Sequence, residues 1–203
     1  AAFVDRLLPM PGEFIQYSPL SGQVMSGYWQ NEAATKEVLQ DGWFCTGDVG
    51  DIDAEGVVRI LDRKKDLIVT AGGKNVAPQN IENLLKTCKL ISQAVVHGDR
   101  RKFCTALITL DVDALKSFAN QHHLGEGSYA ELGRRPEVYR EVEQAIEACN
   151  RQLAKYETIK KFAILEHDFS QESGELTPSL KIKRKVITER YKQVLDGFYD
   201  EQY

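Results

Sequence analysis

Residues 42–82 read GWFCTGDVGDIDAEGVVRILDRKKDLIVTAGGKNVAPQNIE, and no other stretch constrains the fold as tightly. Short apolar runs alternate there with turn residues, so strands and hairpins must carry it rather than a long helix. The tetrapeptide Asp53-Ala54-Glu55-Gly56 marks a tight turn. It predicts a hairpin over 49–61, with Val57, Val58, Ile60 and Leu61 in the return strand. Five charges follow in a row, Asp62-Arg63-Lys64-Lys65-Asp66. Such a run is too polar for the middle of a buried strand. It predicts a surface connection and a domain boundary, with residues 1–62 on one side and 63–203 on the other. A short strand at 67–70, the pair Gly72-Gly73 and a helix opening at Pro78 come next.

The flanking segments fill in an α+β chain. Residues 12–30 mix short strand-like runs with Gly, Pro and Ser turns. Residues 31–39 read as a short helix with Asn31 at its N-cap. Beyond Pro78, Ile81, Leu84 and Leu85 share one helix face. Strands are expected at 93–96 and 103–110, then a helix at 113–122 and a polar loop at 125–133. A longer helix opens at Pro136, with Val138, Val142, Ile146, Cys149 and Leu153 on one stripe. A strand at 162–165 and a turn at 172–175 precede a last helix at 186–199. That helix is expected to bury Ile187, Tyr191, Val194, Leu195 and Phe198. Strands interleaved with helices after residue 66 make a compact α/β domain behind a β-rich leading segment.

Composition excludes several classes. The 203 residues carry 26 Lys and Arg against 30 Asp and Glu, a net charge of −4 that offers no basic field for nucleic acid. Cys45, Cys88, Cys104 and Cys149 are far apart, so zinc-ligand spacing is absent and buried free thiols are expected, as in a reducing compartment. His97, His122, His123 and His167 are scattered and read as surface or loop residues. No secretory signal pattern opens the chain, and no apolar run approaches the ~20 residues of a membrane helix.

Three places bear chemistry. Asp48 closes FCTGD, where a carboxylate after a Thr-Gly turn can face a pair of hydroxyls, such as a ribose diol, or cap its own turn. Arg63 leads the charged run with five donors suited to hydroxyl or phosphate oxygens, or simply to solvent. Gly72 and Gly73 allow close backbone approach to a ligand, or a plain strand-to-helix turn, and they match neither GxGxxG nor a P-loop. Downstream, LTPSLKIKR places Lys181 and Lys183 on one face of an extended segment, where an ammonium could offset carboxylate or phosphate charge. The combination suggests an enzyme handling a phosphorylated nucleotide.

Taken in order, these motifs resemble the adenylate-forming acyl-CoA synthetases, the AMP-binding enzymes. The segment from GEFIQYSPLSG to FCTGD, then DRKKDLIVTAGGKNVAPQNIE, then LTPSLKIKR are similar to three successive motifs of that family, over essentially the whole chain. The resemblance implies that residues 1–62 are the tail of a large adenylation domain and 63–203 the small mobile C-terminal domain. It implies that Asp48 binds the ribose hydroxyls of ATP and AMP and that Arg63 contacts the same ribose or a phosphate. It makes Lys65 the hinge, Gly72 and Gly73 the lining of the pantetheine path, and Lys181 the catalytic lysine, with Lys183 near enough to compete. Asp62 and Leu180 stand where many members have glycine, and Lys65 where many have aspartate. The first two departures, and the helical region 111–160, resemble the long-chain fatty-acid branch.

The implied reaction joins a fatty acid to CoA through an acyl-adenylate, with ATP, Mg²⁺ and CoA consumed or required and no metal held by this chain. The phosphate-binding loop and the substrate pockets of the family do not occur in the sequence, so the chain is expected to be a fragment, inactive alone, with residues 1–45 poorly packed. A fatty acyl-AMP ligase feeding a carrier protein, and a free-standing binding module, stay open as alternatives. Cytoplasmic placement is expected, compatible with peripheral membrane contact.

Overall fold

The computed structural model describes residues 16–17, 24–40 and 43–200, which divide into two compact units, 1–67 and 68–203. Most of the strand-like stretch expected at 12–30, and of the packing expected at 1–45, lies outside the described residues. In the first unit β1 (Gln16–Tyr17) and β2 (Leu39–Gln40) flank β3 (Trp43–Cys45) in an antiparallel sheet. Helix α1 (Glu32–Val38) leads into β2, and the Asn31 side chain accepts the Ala34 N–H at 3.1 Å, the expected N-cap. Strands β4 (Asp48–Ile52) and β5 (Val58–Arg63) form the expected hairpin. Its turn is tied by Asp53, whose carboxylate accepts the N–H groups of Glu55 and Val57 at 3.1 and 2.9 Å.

The charged run departs from the expected surface connection. Asp62 and Arg63 complete β5, and Asp62 is only 2% exposed, its carboxylate accepting the Arg63 N–H at 2.7 Å. A charge can be buried in this way because it is hydrogen-bonded there. Arg63, Lys64 and Lys65 do reach solvent, the last two on a single 3-10 turn (Lys64–Asp66).

The second unit is built on a three-stranded sheet ordered β10-β9-β8, comprising β8 (Ile91–His97), β9 (Cys104–Leu110) and β10 (Ile159–Ile164). Before it come a small hairpin, β6 (Ile68–Val69) and β7 (Asn75–Val76), and α2 (Pro78–Leu85). Strand β7 was not expected; two residues are too few to show a period. Strand β8 is antiparallel to β9, and β10 is parallel to it. A parallel partner needs a long crossover, here α3 (Val112–Gln121), α4 (Tyr129–Gly133) and α5 (Pro136–Asn150). The chain ends in α6 (Arg184–Arg190) and α7 (Lys192–Gly197).

Strand alternation sets the core. Ala94, Val96, Ala106 and Ile108 face a cluster with Ile81, Leu115, Val142 and Ile146, whereas Val95 and Leu107 face Phe169, Leu176, Ile187 and Leu195. With both faces covered, all seven residues of β9 are buried, and two of them are threonines. Thr109 donates its hydroxyl to Asp168 at 2.6 Å, and Thr105 bonds the Tyr199 hydroxyl at 3.2 Å.

Three further expectations change. The polar loop at 125–133 contains α4, whose start is a capping box: Ser128 and Glu131 satisfy each other's backbone N–H. The last helix is two helices broken at Tyr191, and Val194 is 40% exposed rather than buried. His97 is neither surface nor loop: it lies half-buried in β8, and burial, then the Arg101 charge, lowers its pKa. The four cysteines form no disulfide; Cys104 and Cys149 are buried, which pushes each thiol to about 11, whereas Cys45 and Cys88 are only half-buried, short of the expected burial. Truncating Leu107 to Ala should lower unfolding free energy by about 2–5 kcal/mol in urea titrations. The exposed control Lys116→Ala should stay within about 0.5 kcal/mol.

Candidate active site

In the first unit the β4–β5 register sets Asp48 directly across from Arg63. Cross-strand partners hold their Cβ atoms about 5 Å apart on one face, so one carboxylate and one guanidinium are presented together. Asp48 does not cap its own turn. That task falls to Thr46, whose hydroxyl accepts the Asp48 N–H at 3.0 Å, while Gly47 takes a left-handed φ of +73°. The Gly47 carbonyl accepts the Lys64 N–H at 2.7 Å, which closes the ladder beyond Arg63. Among the described residues neither the Asp48 carboxylate nor the Arg63 guanidinium is engaged by another side chain. Lys65 is exposed on the 3-10 turn two residues further on.

In the second unit Gly72 and Gly73 cap the β6–β7 hairpin rather than a strand-to-helix turn. Gly73 donates to the Thr70 carbonyl at 2.8 Å with φ +70°, so only this one of the pair needs glycine for its conformation. Both are exposed, and a Cβ on Gly72 would meet only Thr70 Oγ1, at 3.9 Å. The β8–β9 turn braces the hairpin: Arg100 donates to the Val69 carbonyl at 2.8 Å, and Arg101 accepts the Ala71 N–H at 2.9 Å.

The LTPSLKIKR segment is a second, tighter hairpin. Leu176 and Ile182 bridge antiparallel and pack into the core beside Ile187 and Leu195. Thr177 donates its N–H to the Lys181 carbonyl at 2.8 Å, and its hydroxyl accepts the Lys181 N–H at 3.0 Å. Alternation leaves Lys181 and Lys183 both exposed.

Each foot of this hairpin is tied to a buried carboxylate. Glu175, fully buried, accepts from Ser173 Oγ at 2.6 Å and Tyr191 Oη at 3.0 Å, and pairs with Arg190 at 2.8 Å. His167 Nε2 lies 3.5 Å away. Burial alone would raise the Glu175 pKa, but the bonds from Ser173, Arg190 and Tyr191 and the His167 charge outweigh it and hold the pKa low. Burial and the same carboxylate push Tyr191 to about 12. At the other foot Arg184 grips Glu82 of α2 with two bonds, at 2.8 and 3.0 Å, and also donates to the Val96 carbonyl at 3.2 Å. Glu82 accepts the Val96 N–H at 2.8 Å. Sequence reasoning missed Glu82 and Glu175. The signal available for Glu82 was its place beside Ile81 on the buried face of α2. Glu175 sat in what read as a polar turn.

Among the described residues no three His, Cys, Asp or Glu side chains are placed to hold a metal ion. Nor is any described helix long and apolar enough to cross a membrane.

In the second unit a mixed sheet is clad by helices on both faces, with a basic hairpin on one of them. Two solved structures share the fold. One is the adenylation domain of a carboxylate reductase from Mycobacterium chelonae, with TM-score 0.69 and 23% identity over 95% of this chain and 29% of that one. The other is O-succinylbenzoate CoA synthetase from Bacillus subtilis with its acyl-adenylate intermediate, with TM-score 0.62 and 26% identity over 89% of this chain and 31% of that one. The AMP-binding enzyme C-terminal domain family matches residues 65–203, and the chain belongs to it. Among curated relatives, it is 42% identical to the long-chain-fatty-acid–CoA ligase FadD15 of Mycobacterium tuberculosis, over 96% of this chain and 34% of that protein. It is 40% identical to the long-chain-fatty-acid–CoA ligase ACSBG1 of Bos taurus, over 88% of this chain and 27% of that protein. The chain therefore spans about a third or less of the relatives it matches.

The Glu175 cluster has a pH signature. Its folded pKa lies below the unfolded value of about 4.3. The stability it supplies is complete above that value and is lost as pH falls through the folded pKa. In urea titrations across pH, Glu175→Gln should be less stable than the native chain at pH 7. The gap should narrow below about pH 4.3; a gap constant with pH would contradict the assignment.

Proposed function

We propose that this chain is the C-terminal part of a long-chain fatty-acid–CoA ligase, the tail of its large domain followed by its small mobile domain. The observation that carries the reading is the exposed Lys181 on a hairpin anchored at both feet by buried carboxylates. A lysine held on a rigid support can be delivered to developing negative charge without reorganising at that moment.

In the first step a fatty-acid carboxylate oxygen attacks the α-phosphorus of ATP. The α–β phosphoanhydride bond breaks, and pyrophosphate leaves an acyl-adenylate. Lys181 offsets negative charge on the reacting oxygens, with Lys183 on the same face as its competitor for that role. Asp48 accepts from the ribose hydroxyls, and Arg63 donates to the same ribose or to a phosphate; their cross-strand pairing supports a shared ligand. In the second step the small domain turns about Lys65, so that one domain serves two active-site arrangements in turn. The CoA thiol sulfur, approaching along Gly72 and Gly73, then attacks the acyl carbonyl. The C–O bond to AMP breaks, and the thiol proton passes to solvent. Mg²⁺, required for the ATP chemistry, neutralises phosphate charge when bound. The open surface at Gly72 and Gly73 suits a passing pantetheine arm, because a side chain there would narrow the approach.

Lys181→Ala in the intact ligase should slow single-turnover pyrophosphate release by about 10²-fold or more. Thioester formation from supplied acyl-adenylate should stay close to native. The 203-residue chain alone should release no pyrophosphate. Native-rate adenylation by Lys181→Ala would contradict the role given to Lys181. In that case loss of activity in Lys183→Ala would transfer it to Lys183.

A further inference from the structure

Leu180, at the tip of the lysine hairpin, is placed against two preferences at once. The loop Pro178-Ser179-Leu180 closes with the Leu180 N–H donating to the Thr177 carbonyl at 2.8 Å, and Leu180 itself takes φ +59°. A three-residue hairpin loop of this kind ends in a left-handed residue, and glycine fits that position without steric penalty. Among the described residues three other non-glycine residues take such a φ, namely Gln30, Arg100 and His123, and all are polar. Leu180 is also 64% exposed, whereas Leu176 and Ile182, the bridge pair below it, enter the core. Neither the backbone conformation nor the exposed apolar side chain stabilises this chain by itself. Persistent local strain is a sign of a requirement met elsewhere.

We infer that Leu180 is a positioning residue: it seats the lysine hairpin by entering an apolar recess of the large adenylating domain during acyl-adenylate formation. The inference rests on the reading of Lys181 given above. The surface that receives Leu180 belongs to the remaining length of the enzyme, since the chain spans 34% of the ligase FadD15. Adjacent Cα atoms are about 3.8 Å apart. When Lys181 reaches the reacting oxygens, Leu180 therefore travels with it to the surface of the large domain around them. Burial of one leucine there supplies the docking contact, and the anchored feet transmit it to Lys181. Glycine in its place would relax the loop and lose the contact.

The test uses the intact ligase carrying this chain, with Leu180→Gly, Leu180→Met and Lys181→Ala. Three quantities are read: thermal midpoint, single-turnover pyrophosphate release with a long-chain fatty acid, and thioester formation from supplied acyl-adenylate. Leu180→Gly should raise the midpoint, by roughly 2–4 °C, because the left-handed turn is relieved. It should slow pyrophosphate release about tenfold, with thioester formation unchanged. Leu180→Met keeps an apolar side chain in the same strained turn and should release pyrophosphate within about twofold of native. A gain in stability with a loss of one half-reaction is not the signature of a merely structural residue. Native-rate pyrophosphate release by Leu180→Gly, or an equal loss in Leu180→Met, overturns the inference. Native-rate release by Lys181→Ala overturns the reading of the hairpin itself, and the role of Leu180 with it.

Discussion

The ion pair between Glu82 and Arg184 joins two segments about a hundred residues apart in sequence. Both guanidinium Nη atoms meet both carboxylate oxygens, and Val96 completes the set with its N–H on Glu82 and its carbonyl on Arg184. Glu82 is 5% exposed, so removing Arg184 would strand a buried charge, at a cost of about 3–5 kcal/mol. The pair ties α2, which follows the Gly72-Gly73 hairpin, to the segment that leaves the Lys181 hairpin. Both loops with proposed roles in the two half-reactions are thereby fixed to one sheet.

The second foot follows the same logic with a different carboxylate. Glu175 is satisfied by Ser173, Tyr191 and Arg190, so helix α6 and the start of α7 hold the other end of the hairpin. Tyr191, which breaks the last helix into two, gives its hydroxyl to Glu175 while its ring packs against the apolar cluster below. A helix break thus serves the hairpin. At the far end Tyr199 bonds the Phe103 carbonyl at 3.0 Å and lies under Arg101, which tethers α7 to the β8–β9 turn bracing the glycine hairpin. Lys181, Lys183, Arg63, Lys64 and Lys65 are all exposed.

Much of this was legible in the sequence where period and turn chemistry agreed. The stripe Val138, Val142, Ile146 and Cys149 is buried along α5, and the Asp53–Gly56 turn and Asn31 cap stand where residue chemistry put them. What was illegible depended on contacts distant in sequence. A buried Asp62 in a run of five charges, a half-buried His97 and a pair of buried glutamates cannot be read from spacing, because partners elsewhere in the chain decide their environment. Helix α4 is a different case: Ser128 and Glu131 spelled a capping box, but Gly125 and Gly127 beside it made the stretch read as loop. At the candidate site, sequence singled out Asp48 and Arg63 separately, and the β4–β5 register is what sets them face to face. It named the lysines and missed both carboxylates that hold their hairpin.

The central claim is that Lys181 is delivered to the reacting phosphate and carboxylate while the rest of the hairpin serves as its support. Amine labelling of the intact ligase, quantified by mass spectrometry at Lys181 and Lys183, addresses it most directly. Reactivity would be compared with and without a non-hydrolysable ATP analogue plus fatty acid. The account predicts that both lysines label freely without ligands, since both are exposed. With ligands, Lys181 should be protected about tenfold while Lys183 is unchanged. Equal labelling of Lys181 in the two states would contradict the account.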